Sequence, residues 1–318
     1  MTDSFNRNIE YLRISITDRC NLRCNYCMPE DLPYVPHENI LRYEEILRIC
    51  SIMAKLGIKN LRVTGGEPLV RKGCIDFIGR LKTLPGIEKV FLTTNATLLA
   101  LHAKKLADLN LDGVNISLDS CSGETYQKIT GKDKFSAAWK GIETALQCGL
   151  KVKLNCVPIT GINEGDILPL VNLTRQYSLS VRFIELMPTR VNKGLKGIPG
   201  EKILEIISAE YDLTPDKKTH GYGPAMYFKA PELKGSIGLI SPLSNCFCFT
   251  CNRIRLSPEG CLQLCLHHNE GLDLRTLCRS NADDEEIARS IIASIAAKPK
   301  EHVLREHTDL VYMSRIGG

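Results

Sequence analysis

Strand-like and helix-like segments alternate six times over the first half of the chain, and this constrains the fold more than any other feature. The strand-like runs are 11–16, 60–64, 89–93, 113–118, 151–157 and 180–186. Between them lie runs with helical spacing. In 43–56, Ile46, Leu47, Cys50, Met53 and Ala54 share one face, and Gly57 follows as a C-cap. Runs 74–84, 99–109 and 135–148 behave alike, and a further helix is expected over 164–177, with Pro169 near its first turns. Serial βα units imply parallel neighbours, because parallel strands need crossover connections. Two closures compete, a complete or partial TIM-like barrel and an open doubly wound sheet. No G-x-G-x-x-G follows the first strand, which weighs against a dinucleotide site.

Polar residues at the strand ends favour the barrel. Cys20 to Cys27 follow the first strand and Gly65-Gly66-Glu67-Pro68 the second. The third ends in Thr93-Thr94-Asn95 and the fourth in Ser117-Leu118-Asp119; the fifth carries Lys153 and Asn155, the sixth Glu185 and Met187. In a βα barrel such positions surround one site. The expectation is an α/β chain: a partial (β/α)6 TIM-like barrel over 1–188, then an α+β extension over 189–318. In the extension we expect a loop (188–200), a helix (201–211), a strand (236–240), a hairpin (253–266) turning at Ser257 to Gly260, and a last helix (283–297). Ile287, Ile291, Ile292 and Ile295 form the apolar face of that helix.

With 43% hydrophobic and 24% charged residues, 318 residues suit a soluble enzyme with a sizeable core. The net charge of +5 admits an anionic substrate but gives no basis for nucleic-acid binding. No apolar stretch is long enough to span a bilayer, and the polar residues 1–10 lack a secretory core, so a cytoplasmic location is expected. Three of the fourteen cysteines lie in 20–27 and five in 246–265, which in a reducing compartment points to metal sites. Cys50, Cys74, Cys121, Cys148, Cys156 and Cys278 are scattered and read as small buried hydrophobes.

Cys20, Cys24 and Cys27 have C-x3-C-x2-C spacing. Three thiolates can hold three irons of a [4Fe–4S] cluster and leave the fourth iron open to a small molecule. Zinc would want a fourth ligand, and the closest histidine, His37, is ten residues past Cys27. The second group is Cys246, Cys248, Cys251, Cys261 and Cys265, among which spacing alone does not choose; four of them around zinc is the simpler alternative. Arg253 and Arg255 would point to one side of a strand and suit a polyanion such as a triphosphate. The terminal Gly317-Gly318 could fray, or thread into a cavity too narrow for side chains.

Arg13-Ile14-Ser15-Ile16-Thr17-Asp18-Arg19, Tyr26 between the last two cysteines, and Gly65-Gly66-Glu67-Pro68 resemble the radical S-adenosylmethionine (SAM) superfamily. Cys248, Cys251 and Cys265 in C-x2-C-x13-C, the Asn252-Arg253-Ile254-Arg255 run and the terminal Gly-Gly resemble one of its families, MoaA, the GTP 3′,8-cyclases of molybdenum cofactor biosynthesis. The match is colinear from about Tyr11 to Gly318. The resemblance implies a SAM-binding [4Fe–4S] cluster on Cys20, Cys24 and Cys27, with SAM lined by Tyr26, Gly66, Ser117 and Met187. It implies a second [4Fe–4S] cluster on Cys248, Cys251 and Cys265. GTP would be held by Arg13, Arg62, Thr93, Lys153, Arg253 and Arg255, with Gly317 and Gly318 entering the active site. The adenosyl radical would take hydrogen from C3′ of GTP, and C3′ would bond to C8, giving 3′,8-cyclo-7,8-dihydro-GTP. An external electron donor is implied; the next pathway enzyme, cyclic pyranopterin monophosphate synthase, is linked by function only. Neither nucleic acid nor membrane is an expected partner, and a homodimer is one option for assembly.

Ala96 stands where the family commonly has Gly, Cys246 and Cys261 are extra thiols, and the resemblance explains neither His267 nor His268. A peptide-modifying radical SAM maturase with an auxiliary cluster is the rival enzyme. An iron–sulfur sensor or electron carrier is the non-enzymatic rival, and it leaves the strand-end polar residues without a purpose.

Overall fold

The structure is a computed structural model and describes residues 1–29, 31–189, 191–218, 220–267, 271–302 and 313. Its first half is the expected series: β1 (Tyr11–Ser15), α1 (Tyr43–Lys55), β2 (Asn60–Thr64), α2 (Cys74–Lys82), β3 (Lys89–Thr94), α3 (Ala103–Asp108), β4 (Gly113–Ser117), α4 (Gly123–Thr130), α5 (Phe135–Gln147), β5 (Val152–Cys156), α6 (Ile167–Gln176) and β6 (Ser180–Ile184). The second half holds α7 (Gly200–Ser208), β7 (Thr214–Pro215), β8 (Met226–Lys229), β9 (Ser236–Ile240), β10 (Arg253–Leu256), β11 (Cys261–Gln263), β12 (Gly271–Asp273), α8 (Leu274–Arg279) and α9 (Asp284–Ala296).

All the strands join one sheet in the order β12-β11-β10-β1-β2-β3-β4-β5-β6-β9-β8-β7. The first six are parallel neighbours in chain order, the arrangement that βα crossovers impose. Parallel β10 lies outside β1 and parallel β9 outside β6. Antiparallel strands finish both ends, so the barrel is partial. The later strands thus extend both edges of the first-half sheet.

Within the parallel strands one set of alternating side chains is apolar and almost wholly buried: Leu12 and Ile14, Leu61 and Val63, Val90 and Leu92, Val114 and Ile116, Leu154, Val181 and Phe183. The intervening set is polar: Arg13, Arg62, Thr93, Asn115, Lys153, Asn155 and Arg182. Successive strand side chains face opposite sides. The apolar set therefore packs under the helices, and the polar set faces the hollow of the sheet.

Several expectations shift locally. The helix expected over 99–109 is a 3-10 turn, Leu99–Leu101, followed by α3. Helix α4 was not foreseen, because it is short and buries few apolar side chains, Tyr126 and Ile129. On α9, Ile287, Ile291 and Ile295 are buried while Ile292 is 51% exposed. The amide of Glu286 bonds to the Asp283 side chain, which caps α9. Ala96 is held at φ +62, a left-handed conformation that costs an alanine about 1–2 kcal/mol. Among the described residues no helix is long and apolar enough to cross a membrane. Of the scattered cysteines, Cys50, Cys74 and Cys156 are buried and Cys121, Cys148 and Cys278 half-buried.

Candidate active site

A cavity of about 580 Å³ occupies the hollow of the sheet. Cys20, Cys24, Cys27, Tyr26, Gly66, Ser117, Met187, Arg13, Arg62, Thr93, Lys153 and Arg253 all line it. Met313 does so too, while Gly317, Gly318 and His268 lie outside the described residues. Arg255 and Cys248, Cys251 and Cys265 stand outside the described lining.

The cysteine loop leaves β1 and is pinned from outside. The amides of Arg23 and Asn25 donate to the carbonyls of Thr130 (2.8 Å) and Ile129 (2.9 Å) at the end of α4. The amides of Cys27 and Met28 both donate to the Cys24 carbonyl at 3.0 Å, closing a tight turn. Burial pushes the Cys24 thiol well up and the Cys27 thiol up to about 12, and negative charge on neighbouring thiolates and Asp119 adds to both. Burial raises Cys20 as well. Three desolvated, mutually opposing thiols lose their protons together only against a compensating positive charge, as iron provides. This donor set fits the three protein ligands of a [4Fe–4S] cluster.

The Gly-Gly pair serves the chain before it serves a ligand. The Gly66 amide donates to the Thr17 carbonyl at 2.7 Å and the Glu67 amide to the Arg19 carbonyl at 2.8 Å. A Cβ on Gly65 would lie 2.7 Å from the Thr17 oxygen, and one on Gly66 2.4 Å from the Arg19 oxygen. Only bare backbone can lie this close to the segment entering Cys20. The buried Glu67 carboxylate accepts from the Leu69 amide (3.0 Å), the Thr94 hydroxyl (2.7 Å) and the Asn95 amide (2.6 Å), and burial raises it to about 7. Asn95 in turn donates to Asn21 Oδ1 at 2.9 Å and to Cys20 Sγ at 3.8 Å. One network thus locks β2, β3 and the cysteine loop together.

On the opposite wall Tyr26 donates to Asp119 Oδ2 at 2.7 Å, and the Val157 amide donates to Asp119 Oδ1 at 2.8 Å. Burial pushes the Asp119 carboxyl from 3.8 up to about 6. The folded protein therefore holds this proton more tightly than the unfolded chain. The resulting stability is full below pH 4 and is lost as pH rises through 6. Asp119→Asn, whose carbonyl oxygen can still accept from the Val157 amide while its NH2 donates to the Tyr26 oxygen, is expected to flatten the stability profile between pH 4 and 6 by about 3 kcal/mol. Denaturant titrations at fixed pH values check this; an unchanged slope sinks it.

The other half of the cavity is cationic. The register places Arg13 level with Arg62 on one neighbouring strand and Arg255 on the other. Burial, with Arg255 and Arg62 next, lowers the Arg13 guanidinium well below its ordinary value. Burial and Arg253 bring Arg255 down to about 10. Burial brings Lys153 down to about 7, with Arg182 and Arg62 contributing. Arg62 donates to the Tyr11 hydroxyl (2.5 Å) and to Thr93 Oγ1 (3.3 Å), its guanidinium 4.9 Å from the Phe91 ring centre. Lys153 donates to the His220 carbonyl and, at 3.3 Å, to the Tyr227 hydroxyl. Cations gathered in a desolvated hollow repel each other until a polyanion arrives.

Arg182 belongs to this group and sequence reading missed it. It is buried, lines the cavity and sits level with Asn155 on β5. The signal was available: it alternates with the apolar Val181 and Phe183, as Lys153 does with Val152 and Leu154. A Cβ on Gly238 would lie 2.8 Å from Arg182 Cγ, so that glycine makes room for the arginine.

The second cysteine group brackets β10. Arg7, ion-paired to Asp3 at 2.6 Å, donates to the Cys248 carbonyl at 2.9 Å. Lys298 donates to the carbonyls of Arg253 (3.0 Å) and Leu264, bracing the chain beside Cys251 and Cys265. Burial opposes ionisation of Cys251, but the charges of Arg253 and Lys298 outweigh it and leave this thiol below its ordinary value. Burial pushes Cys248 up to about 11. Neither Arg7 nor Lys298 stands out in the sequence. Cys261 faces Asp273 across the β11–β12 pair.

A partial parallel barrel with three cysteines at its cavity defines a radical SAM protein, and residues 14–174 match the radical SAM superfamily model. Such proteins carry a [4Fe–4S] cluster and SAM. Residues 179–304 match the Molybdenum Cofactor Synthesis C family. The GTP 3′,8-cyclases of Pelotomaculum thermopropionicum and Heliobacterium modesticaldum are 43% and 44% identical to this chain, each alignment covering 100% of both proteins. The chain belongs to the GTP 3′,8-cyclase family. Among solved structures, Streptococcus suis SuiB superposes with a TM-score of 0.62 at 15% identity, covering 90% of this chain and 69% of SuiB. The hydrogenase maturase HydG from Carboxydothermus hydrogenoformans gives 0.51 at 15% identity, covering 65% of this chain and 52% of HydG. These two likenesses concern fold alone.

Proposed function

We propose that this chain converts GTP to 3′,8-cyclo-7,8-dihydro-GTP, the first step of molybdenum cofactor biosynthesis. One observation carries the reading: a single cavity joins the cysteine loop to the cationic row. A [4Fe–4S] cluster with SAM, when bound, would supply the radical that removes hydrogen from the substrate ribose. Cys20, Cys24 and Cys27 would hold that cluster, and Tyr26, Gly66, Ser117 and Met187 would border SAM. Asp119 orients the Tyr26 hydroxyl, and the Glu67 network keeps the cysteine loop in register. Arg13, Arg62, Lys153, Arg253 and Arg255 would neutralise the triphosphate, with Thr93 and, newly, Arg182 beside them. Holding the nucleotide at its polyanionic end fixes the ribose relative to the cysteine loop, and orientation of this kind is a large part of enzymatic rate acceleration.

Cys248, Cys251 and Cys265 would hold a second [4Fe–4S] cluster, with Arg7 and Lys298 bracing the backbone around it. On this reading residues 1–188 form the radical SAM core and carry most of the GTP contacts, and 189–318 add the second cluster, Arg253, Arg255 and the Gly-Gly tail. Gly317 and Gly318 would enter the cavity near Met313. The reading further assigns an external electron donor, a cytoplasmic location, and a product consumed by cyclic pyranopterin monophosphate synthase. Anaerobic incubation of reconstituted protein with SAM, reductant and GTP should yield 5′-deoxyadenosine in a GTP-dependent manner. Equal yields with and without GTP would reject the reading.

A further inference from the structure

Tyr227 lines the cavity beside Lys153, and neither motif nor family resemblance gives it a role. The register sets Asn155, Arg182, Gly238 and Tyr227 in one row across β5, β6, β9 and β8. A Cβ on Gly238 would lie 2.8 Å from Arg182 Cγ and 3.1 Å from Tyr227 Cε1. Glycine there lets the arginine stem and the phenol ring lie together over β9. The ring is fixed from behind. The Asp216 amide donates to the Tyr227 carbonyl at 2.8 Å, and the Asp216 carboxylate accepts from His220 Nε2 at 2.8 Å. The His220 ring then stacks on Tyr227, with centroids 4.0 Å apart and planes 17° apart.

The hydroxyl oxygen is committed to two cations. Lys153 Nζ donates to it at 3.3 Å, and the Arg182 guanidinium hydrogen-bonds it from across β9. Burial holds the phenol above its ordinary value despite Arg182, so its proton stays on. Among the described residues no group accepts that proton. A phenol whose oxygen accepts from two cations has only its O–H left to give, and it gives it away from them. The match for a donor set between a lysine and an arginine is an anionic oxygen, which all three groups can share.

We propose that the Tyr227 hydroxyl is a substrate contact, donating to a phosphate oxygen of the bound triphosphate while Lys153 and Arg182 neutralise the same group. The assignment rests on the GTP reading of the cavity and adds a neutral donor to its cations. A neutral donor has a physical advantage here. Each further cation would add to the repulsion in the substrate-free hollow, whereas a hydroxyl binds the oxygen without that cost. Its fixed ring also gives one phosphate a direction that a mobile lysine alone does not.

The test is calorimetric titration of reconstituted full-length protein with GTP and, separately, with inorganic triphosphate. Wild type is compared with Tyr227→Phe, which keeps the ring, its stack on His220 and its fit over Gly238; thermal denaturation verifies the fold. Both affinities should fall about 10-fold, the worth of one hydrogen bond to a charged group. Tyr211→Phe is the control. Its hydroxyl bonds Asn172 outside the cavity lining, and its loss should leave both affinities unchanged. Unchanged binding by Tyr227→Phe overturns the proposal. Tighter binding also overturns it, because the hydroxyl would then only hold Lys153 and Arg182 back from the ligand. A loss for GTP without a loss for triphosphate overturns it too, since the acceptor would lie on the ribose or base. So does an equal loss in Tyr211→Phe. These outcomes leave the GTP reading standing. Wild-type protein that binds triphosphate but not GTP rejects that reading alone, and the triphosphate titration still decides the role of Tyr227. Wild-type protein that binds neither rejects both.

Discussion

Arg13→Met is expected to weaken GTP binding at least about 30-fold and, at the same time, to raise the melting temperature of the substrate-free protein. The two effects have one cause. Arg13 is half-buried, level with Arg62 and Arg255, and its charge is disfavoured first by desolvation and then by those neighbours. Replacing it by an apolar side chain of similar size removes that desolvation cost and the repulsion from Arg62 and Arg255. In the complex the balance reverses, because truncating a buried cation that faces phosphate leaves that anion unmatched, at about 2–5 kcal/mol. Arg7 provides the contrast. It is buried beside Asp3 at 2.6 Å, so Arg7→Met strands a carboxylate and should lower the melting temperature. Calorimetric GTP titration and thermal denaturation check both signs. A lower melting temperature with unchanged GTP affinity would make Arg13 a structural residue.

This row also shows how far the sequence reaches. Arg13, Arg62 and Lys153 were legible because each sits between apolar neighbours on a strand that its own βα unit defines. Arg182 carries the same signal, weaker only because no motif draws attention to it. The pairing of β10 with β1 joins residues about 240 positions apart, and no local pattern encodes it. Arg253 and Arg255 do share a face, but consecutive same-face positions lie about 6.6 Å apart along a strand. Hence one lines the cavity and the other falls outside its described lining. Spacing identified the cysteines of the first group. It could not separate Cys246 from its neighbours, because spacing along the chain does not say which thiols the fold brings together.

Gly66→Ala is expected to reduce 5′-deoxyadenosine formation by more than about 100-fold and to lower the melting temperature by several degrees. The added Cβ would lie 2.4 Å from the Arg19 oxygen and 2.6 Å from its carbonyl carbon. The obstruction is backbone, so no rotamer change relieves it. Overpacking of this kind costs about 1–3 kcal/mol or more. Relief requires β2 and the Thr17–Arg19 segment to separate, which breaks the bonds from the Gly66 and Glu67 amides to Thr17 and Arg19. Glu67 then moves with β2, and through Thr94 and Asn95 the disturbance reaches Asn21 and Cys20. Because catalytic geometry tolerates only fractions of an ångström, activity should fall further than stability. Gly165→Ala is the matched control, since a Cβ there meets nothing within 4 Å. Thermal denaturation, iron content after reconstitution and deoxyadenosine yield should all separate the two variants. If Gly66→Ala behaves like Gly165→Ala in all three, the close approach of the glycine run to the cysteine loop is not what holds the radical site in register.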